Sequence, residues 1–387
     1  MKRAGPVFLA PISIGFSILA AAFVCAFGLL GTIAPAQART IVRFWAPPVQ
    51  PDRTIAGHLY VAGSQFSSQT FVGGTAGVQR LMRYPLVNGK PGATPDLSFP
   101  TKTDGPMAID KSGNVYSAAD CMTINVFPPN KNTILRTLHV NLPCGDHVYF
   151  WTVIRGLAVD SNGYLFVSTH EDCFSCSTPI APQLPPTGNP LTDCKQANYA
   201  CTLVYAPGAS GNATPLFLIN AGYYSNGMAL DAAGRLFLEP SQSDTDATSV
   251  NRWSDVDTNP TLGKTMSGAQ MVAPTGLAID YSQNFFVNSA KLTGSGNAVS
   301  SYIARYLAYW SGTLTPLAVF QTNPAKLFWF GIGVDSGWLY TGSGQQNLLK
   351  TTPTLMTFRK GSNGNVAPTY SQTISLPEDP EYLAVGP

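Results

Sequence analysis

With 387 residues, 11% of them charged and 23 basic side chains set against 21 acidic ones, the chain lacks the electrostatic footprint of a nucleic-acid binder. A hydrophobic fraction of 44% excludes a largely disordered chain. The 36 Gly and 31 Pro speak for short strands and tight turns and against helical bundles.

The chain starts like an export signal. Lys2 and Arg3 give a positive head, an apolar run follows from about Ile12 to Leu30, and Ala36-Gln37-Ala38 offers small residues before a cleavage point at Arg39. Residues 1–38 are therefore expected to be a signal peptide and 39–54 a linker, with the chain secreted or periplasmic. The apolar run is longer than usual for such signals, so an uncleaved anchor is the alternative, and only then is the membrane a partner. Val24 ahead of Cys25 argues against a lipid-anchored cysteine.

From about residue 55 one pattern recurs: a small residue, apolar residues, Asp, a turn that usually carries Gly, then an apolar strand. The copies are Pro106 to Tyr116, Gly156 to Val167, Gly227 to Leu238, Gly276 to Val287 and Gly331 to Tyr340. Their markers Asp110, Asp160, Asp231, Asp280 and Asp335 stand 50, 71, 49 and 55 residues apart. A sixth copy is split, with Tyr382 to Gly386 as its first half and Gly57 to Ala62 as its second. A period near fifty with several strands per repeat means propeller blades or a solenoid, and a copy shared between the termini selects a closed ring. The expectation is an all-β, six-bladed β-propeller over residues 55–387, with four antiparallel strands per blade and N- and C-terminal strands paired. Hairpins for the outer strands read clearly at Leu81 to Pro95, Leu203 to Pro215 and Thr357 to Pro368, are worn at Ala304 to Pro316, and fade at Asn251 to Met266. The marker Asp residues each precede a tight turn whose backbone N–H groups a carboxylate can bind, which is a structural role.

The 71-residue interval holds a Cys-rich insertion at 170–200. Without the signal, six cysteines remain: Cys121, Cys144, Cys173, Cys176, Cys194 and Cys201. Their even number in an exported chain favours disulfides over the zinc site that Cys173-x-x-Cys176 would otherwise suggest. Two cross-links are expected within the insertion, with connectivity open, and one between Cys121 and Cys144.

In such blades the Asp turns share one face, and the longer loops, with the entries into the inner strands, share the other. A ligand site belongs on the loop-rich face around the axis. The residues expected just before the inner strands are Gly105, Arg155, Asn226, Thr275, Phe330 and Glu381. Asp104, His147, Tyr223, Tyr224 and Trp329 stand beside them, an aromatic mouth with a few polar anchors.

The Gly-Leu-Ala-Val-Asp-x-x-Gly-x-Leu-Phe-Val string at 156–167 resembles the NHL-repeat propellers and their SMP-30/gluconolactonase-like relatives, a resemblance that covers nearly the whole mature chain. The latter family implies a divalent cation held by acidic and amide side chains that open inner strands. Asp104-Gly105-Pro106 and Asn226-Gly227 resemble two of those positions, so Asp104 and Asn226 are the candidate metal ligands, with Ca²⁺ the cation suited to oxygen donors. Thr275 stands where an Asp is expected and Arg155 where a polar substrate contact is expected, so the lactonase set is incomplete. No cofactor is otherwise implied. No Gly-x-Ser-x-Gly, His-Glu-x-x-His or phosphate-loop motif is present. The expected function is a ligand-binding or protein-interaction module acting through the loop-rich face on a small molecule or protein. The alternative is a metal-dependent hydrolase of lactones or related esters. Asn212-Ala213-Thr214 is a glycosylation acceptor only in a host with that machinery.

Overall fold

The computed structural model describes residues 57–64, 81–100, 106–120, 122–142, 150–173, 187–219, 222–240, 248–272, 274–292, 298–322, 327–344, 354–374 and 379–387. The expected signal peptide and linker lie outside them. Among the described residues no helix is long and apolar enough to cross a membrane.

The chain enters through β1 (His58–Ser64), β2 (Leu81–Val87), the short β3 (Lys90–Pro91) and β4 (Leu97–Phe99). Blade 1 is β5 (Met107–Ile109), β6 (Val115–Asp120), β7 (Thr123–Phe127) and β8 (Arg136–His139). Blade 2 is β9 (Phe150–Val159), β10 (Leu165–Cys173), β11 (Cys201–Tyr205) and β12 (Phe217–Ile219), with helix α1 (Pro190–Gln196) between its second and third strands. Blade 3 is β13 (Met228–Leu230), β14 (Leu236–Leu238), β15 (Ser249–Ser254) and β16 (Thr261–Ser267). Blade 4 is β17 (Pro274–Ile279), β18 (Asn284–Leu292), β19 (Ala298–Leu307) and, after the short β20 (Gly312–Thr313), β21 (Ala318–Thr322). Blade 5 is β22 (Leu327–Val334), β23 (Trp338–Gly344), β24 (Thr354–Arg359) and, after β25 (Gly364–Val366), β26 (Tyr370–Thr373). The last strand, β27 (Asp379–Gly386), is the inner strand of blade 6, and β1, β2 and β4 follow it outward. Six antiparallel sheets of four principal strands thus form a propeller closed by the two ends of the chain. The closing pair has Leu59 opposite Val385, Tyr60 opposite Ala384 and Val61 opposite Leu383, the pairing expected from the split repeat.

One row of residues repeats in every blade. Running outward from the axis it reads Ala108–Tyr116–Val126–Arg136 in blade 1 and Ala158–Phe166–Val204–Phe217 in blade 2. It reads Ala229–Phe237–Arg252–Lys264 in blade 3 and Ala278–Phe286–Arg305–Ala318 in blade 4. Blades 5 and 6 have Gly333–Tyr340–Thr357–Tyr370 and Ala384–Tyr60–Arg83–Leu97. Sheets converge toward the axis, so the first position must be small. The second is always an aromatic ring, buried between neighbouring blades where the wedge has opened enough to hold it. Burial pushes the Tyr84 hydroxyl up to about 12 and raises the row tyrosines Tyr60, Tyr116 and Tyr340 as well.

The marker carboxylates have the structural role their turns imply. Asp110 Oδ1 accepts from Ser112 N and Asn114 N, and Asp160, Asp231 and Asp335 each accept two turn N–H groups in the same way. Gly113, Gly163 and Gly234 provide the left-handed residue of three of these turns, at φ 81°, 89° and 73°. In blade 4 that place is taken by Gln283 at φ 61°. An L side chain is strained there, so Gln283→Gly is expected to raise stability by about 0.5–1 kcal/mol, read as a higher urea midpoint with unchanged slope.

The hairpin joining the third and fourth strands of one blade reaches the outer edge of the blade before it. Gly211 of blade 2 exchanges hydrogen bonds with β8 of blade 1, taking one from His139 N and giving one to Thr137 O, both at 2.7 Å. β20 of blade 4 pairs in parallel with β16 of blade 3, and β25 of blade 5 pairs in parallel with β21 of blade 4. Gln372 Nε2 donates to Gly92 O across the seam of blades 5 and 6, and Asn132 Nδ2 to Ser98 O across that of blades 6 and 1. Gly211, Gly312 and Gly364 all have positive φ at these contacts with no atom within 4 Å of a Cβ position, so glycine serves the backbone turn there and not a tight space.

Candidate functional site

The inner strands extend further toward the loop-rich face than the repeat suggests. β9 begins at Phe150, β17 at Pro274 and β27 at Asp379, each interrupted by a shift of register. Arg155, Thr275 and Glu381 are the residues skipped at those shifts, and in β22 the ladder is broken between Phe328 and Ile332, which covers Trp329 and Phe330. The expectation that these residues stand just before the strands is therefore corrected: they lie within them, as the extra residues of β-bulges. A bulge releases its residue from pairing and bends the strand, and bulges are over-represented beside binding sites. In blades 1 and 3 the inner strands do begin after the expected position, at Met107 and Met228.

Arg155 is buried, and its guanidinium carbon stands 6.0 Å from the centre of the Tyr224 ring. His170, from β10, lies over the other partner of this group, with its ring 3.9 Å from that of Tyr224 at an interplanar angle of 32°. Two strands of blade 2 and the entry segment of blade 3 thus join a cation, an imidazole and a phenol ring. Tyr223 is partly exposed beside them.

Beneath this stack lies a hydrogen-bond network across the seam of blades 2 and 3. Ser225 N donates to Ser168 Oγ at 2.8 Å, and Ser225 Oγ donates to Gly227 O at 2.6 Å. Glu239 N donates to Ser225 Oγ at 3.1 Å. The Glu239 carboxylate, fully buried, accepts at Oε1 from Asn226 N at 2.7 Å and from Gly227 N at 2.9 Å. Two backbone donors on one oxygen fix the peptide that carries Asn226, whose own Oδ1 is buried with no hydrogen-bond partner among the described residues. Ser168, Glu239 and Asn288 each lie twelve residues beyond the glycine of their repeat, and all three are fully buried. They form a polar arc over blades 2, 3 and 4 directly under the loop-rich face.

The inner-strand glycines answer to space. A Cβ on Gly156 would stand 2.7 Å from Ser225 O, and one on Gly227 would stand 2.9 Å from Leu277 N and 3.1 Å from Gly276 Cα. Consecutive blades touch backbone to backbone at this level, which is why the small residue opens each repeat.

Of the expected mouth residues the structure brings together Arg155, Tyr224 and Asn226, with Tyr223 in the same segment. Asp104, Gly105 and His147 lie outside the described residues, so the Asp104–Asn226 metal pair is not on view. Thr275, Trp329, Phe330 and Glu381 are described in backbone alone. Among the described residues no group of three His, Cys, Asp or Glu side chains is placed to hold a metal. Glu239 is the site residue the repeat reading missed; the turn after a Leu-Phe-Leu strand resembles an ordinary solvent edge. Within the insertion, Cys194 and Cys201 form one of the expected disulfides, which ties α1 to the start of β11. Asn189 caps that helix, accepting from Leu191 N and Thr192 N. Cys121, Cys144 and Cys176, and the side chain of Cys173, lie outside the described set.

No protein-family model matches the chain, and no curated protein matches it. Among solved structures it is similar to that of U3-55K, at 11% identity and TM-score 0.42 over 72% of this chain and 69% of that one. It is similar to the Neurospora crassa Pan2 WD40 domain at 10% identity and TM-score 0.39, over 66% of this chain and 63% of that one. The beta-propeller domain of Myceliophteria thermophila Cps50 (Swd1) is matched at 10% identity and TM-score 0.41, over 78% and 82%. The ring itself is established by its strand pairings.

Proposed function

We propose that the chain is a recognition module that holds a small molecule or protein on its loop-rich face, in the manner of exported NHL-like propellers. The observation that carries this reading is the use made of Glu239. A buried carboxylate that could serve as a base or metal ligand is instead engaged by the N–H groups of Asn226 and Gly227. The polar atoms of the arc hold the mouth in shape, and the buried Arg155 and Tyr224 back the partly exposed rings of His170 and Tyr223, which are left as the recognising surface, suited to a flat or sugar-like group. With a photoreactive side chain in place of Tyr223, partner adducts are expected that are absent when the same group replaces Tyr309 on the Asp-turn side, and that decline on Tyr224→Ala.

A second reading is favoured by one atom. The buried Oδ1 of Asn226, without a partner among the described residues, suits a cation, as in SMP-30/gluconolactonase-like hydrolases. The module reading expects no Ca²⁺-dependent hydrolysis of a δ-lactone by the full chain. Turnover that requires Ca²⁺ and is lost in Asn226→Ala would replace recognition with hydrolysis.

A further inference from the structure

Arg83, Arg252 and Arg305 occupy one position of the repeating row, on the third strands of blades 6, 3 and 4, each opposite an aromatic residue of the second strand. Blade 6 shows the complete form of this position. Arg83 is 7% exposed, and its Nε and Nη2 donate to the two carboxylate oxygens of Asp96 at 3.0 and 2.9 Å. Asn130, from the hairpin of the next blade, accepts from Nη1.

Blade 3 keeps the arginine and changes everything that neutralises it. Arg252 is 8% exposed, and its Nη1 donates to Ala308 O, from the hairpin of the next blade, at 3.3 Å. Nε, the atom that in Arg83 takes the first oxygen of Asp96, is buried with no partner among the described residues. Directly opposite Arg252 on β16 stands Lys264, an exposed cation. The carboxylate whose charge reaches Arg252, Asp231, is bound by Arg235, which adds a further repulsive charge. A buried guanidinium among like charges is costly, and like charges opposite each other in a sheet are destabilising. Arg305 in blade 4 also has a buried Nε with no partner among the described residues, but the residue as a whole is partly exposed and it faces Ala318 across its strand, not a second cation.

We propose that the seam between blades 3 and 4 is a carboxylate-binding site. Arg252 Nε and Nη2 take the two oxygens as Arg83 takes those of Asp96, and Lys264 closes over the same anion. The ligand is a free carboxylate or a carboxylate side chain on a partner; the chemistry is shared, and the test below separates the two sources. The site is independent of the loop-rich face.

The test is thermal unfolding of the full chain in sodium acetate, or with a blocked peptide carrying one Asp, each matched in ionic strength with sodium chloride. A saturable rise of about 2 °C is expected for the wild type. Acetate acting as well as the peptide assigns a free ligand, and the peptide acting alone assigns a protein-borne one. Lys264→Glu supplies the anion within the chain, so it is expected to raise the midpoint by a similar amount and to abolish the response. Arg252→Gln is expected to abolish the response as well. The proposal is overturned if chloride matches both probes, if Arg252→Gln keeps the response, or if sulfate displaces the carboxylate. Should Arg252→Gln not fold, Lys264→Glu decides: a lowered midpoint with the acetate response retained overturns the site.

Discussion

A chain ending at residue 378 is expected to lose its cooperative unfolding transition altogether. The deleted residues are β27, the inner strand of blade 6. Leu383 and Val385 leave the cluster built on Leu59, Val61 and Tyr340, and Tyr382 and Ala384 leave that of Tyr60 and Met107. Burying one large apolar side chain contributes about 1.5–3 kcal/mol, so these residues together approach the ~5–15 kcal/mol of a whole domain. The strand also lies between two neighbours at the axis: a Cβ on Gly333 would meet Val385 at 3.0 Å, and one on Gly386 would meet Ile109 at 2.9 Å. Its loss therefore opens the ring on both sides. Far-ultraviolet circular dichroism against urea is the measurement, with Leu383→Ala as a milder comparison expected to stay cooperative and to lose about 2–5 kcal/mol. A truncated chain that melts in one transition near the full-length midpoint would show that the ring does not need its last strand.

Glu239→Ala carries the second large effect. It leaves the N–H groups of Asn226 and Gly227 buried without their acceptor, at about 1–3 kcal/mol for each, so a loss of about 3–5 kcal/mol is expected in urea unfolding. Glu239→Gln retains a carbonyl acceptor and is expected to lose about 1 kcal/mol. If alanine proves as mild as glutamine, the carboxylate does not hold the mouth.

The ring was legible because its signals are local. Each Asp-turn brings its own hydrogen-bond partners within four residues, and the halves at Gly57–Ala62 and Tyr382–Gly386 display the same pattern as the intact copies. Blade 3 faded where the third and fourth strands shift register between Arg252 and Trp253, which breaks the spacing that a hairpin reading depends on. Bulges at Arg155, Thr275 and Glu381 were illegible, since no residue type marks them and only the partner strand reveals the skipped position. Glu239 turns inward because of two amide groups twelve and thirteen residues upstream, a cross-strand relation with no signature in composition. For the same reason the charge balance of Arg252 became visible only when Lys264 was set across from it.

The hairpin contacts between blades give the ring a direction of dependence. At five of the six seams the outer edge of a sheet is bonded to the hairpin of the sheet that follows, so a lesion in one of those hairpins harms the blade behind it as much as its own. Cutting the chain at Gly312 or Gly364 would bare a neighbour's margin to strand addition by other molecules, whereas a break at an Asp-turn leaves every margin sheltered. Tolerance to nicking and to circular permutation should therefore follow the bracing pattern, with surface exposure a poor guide to it.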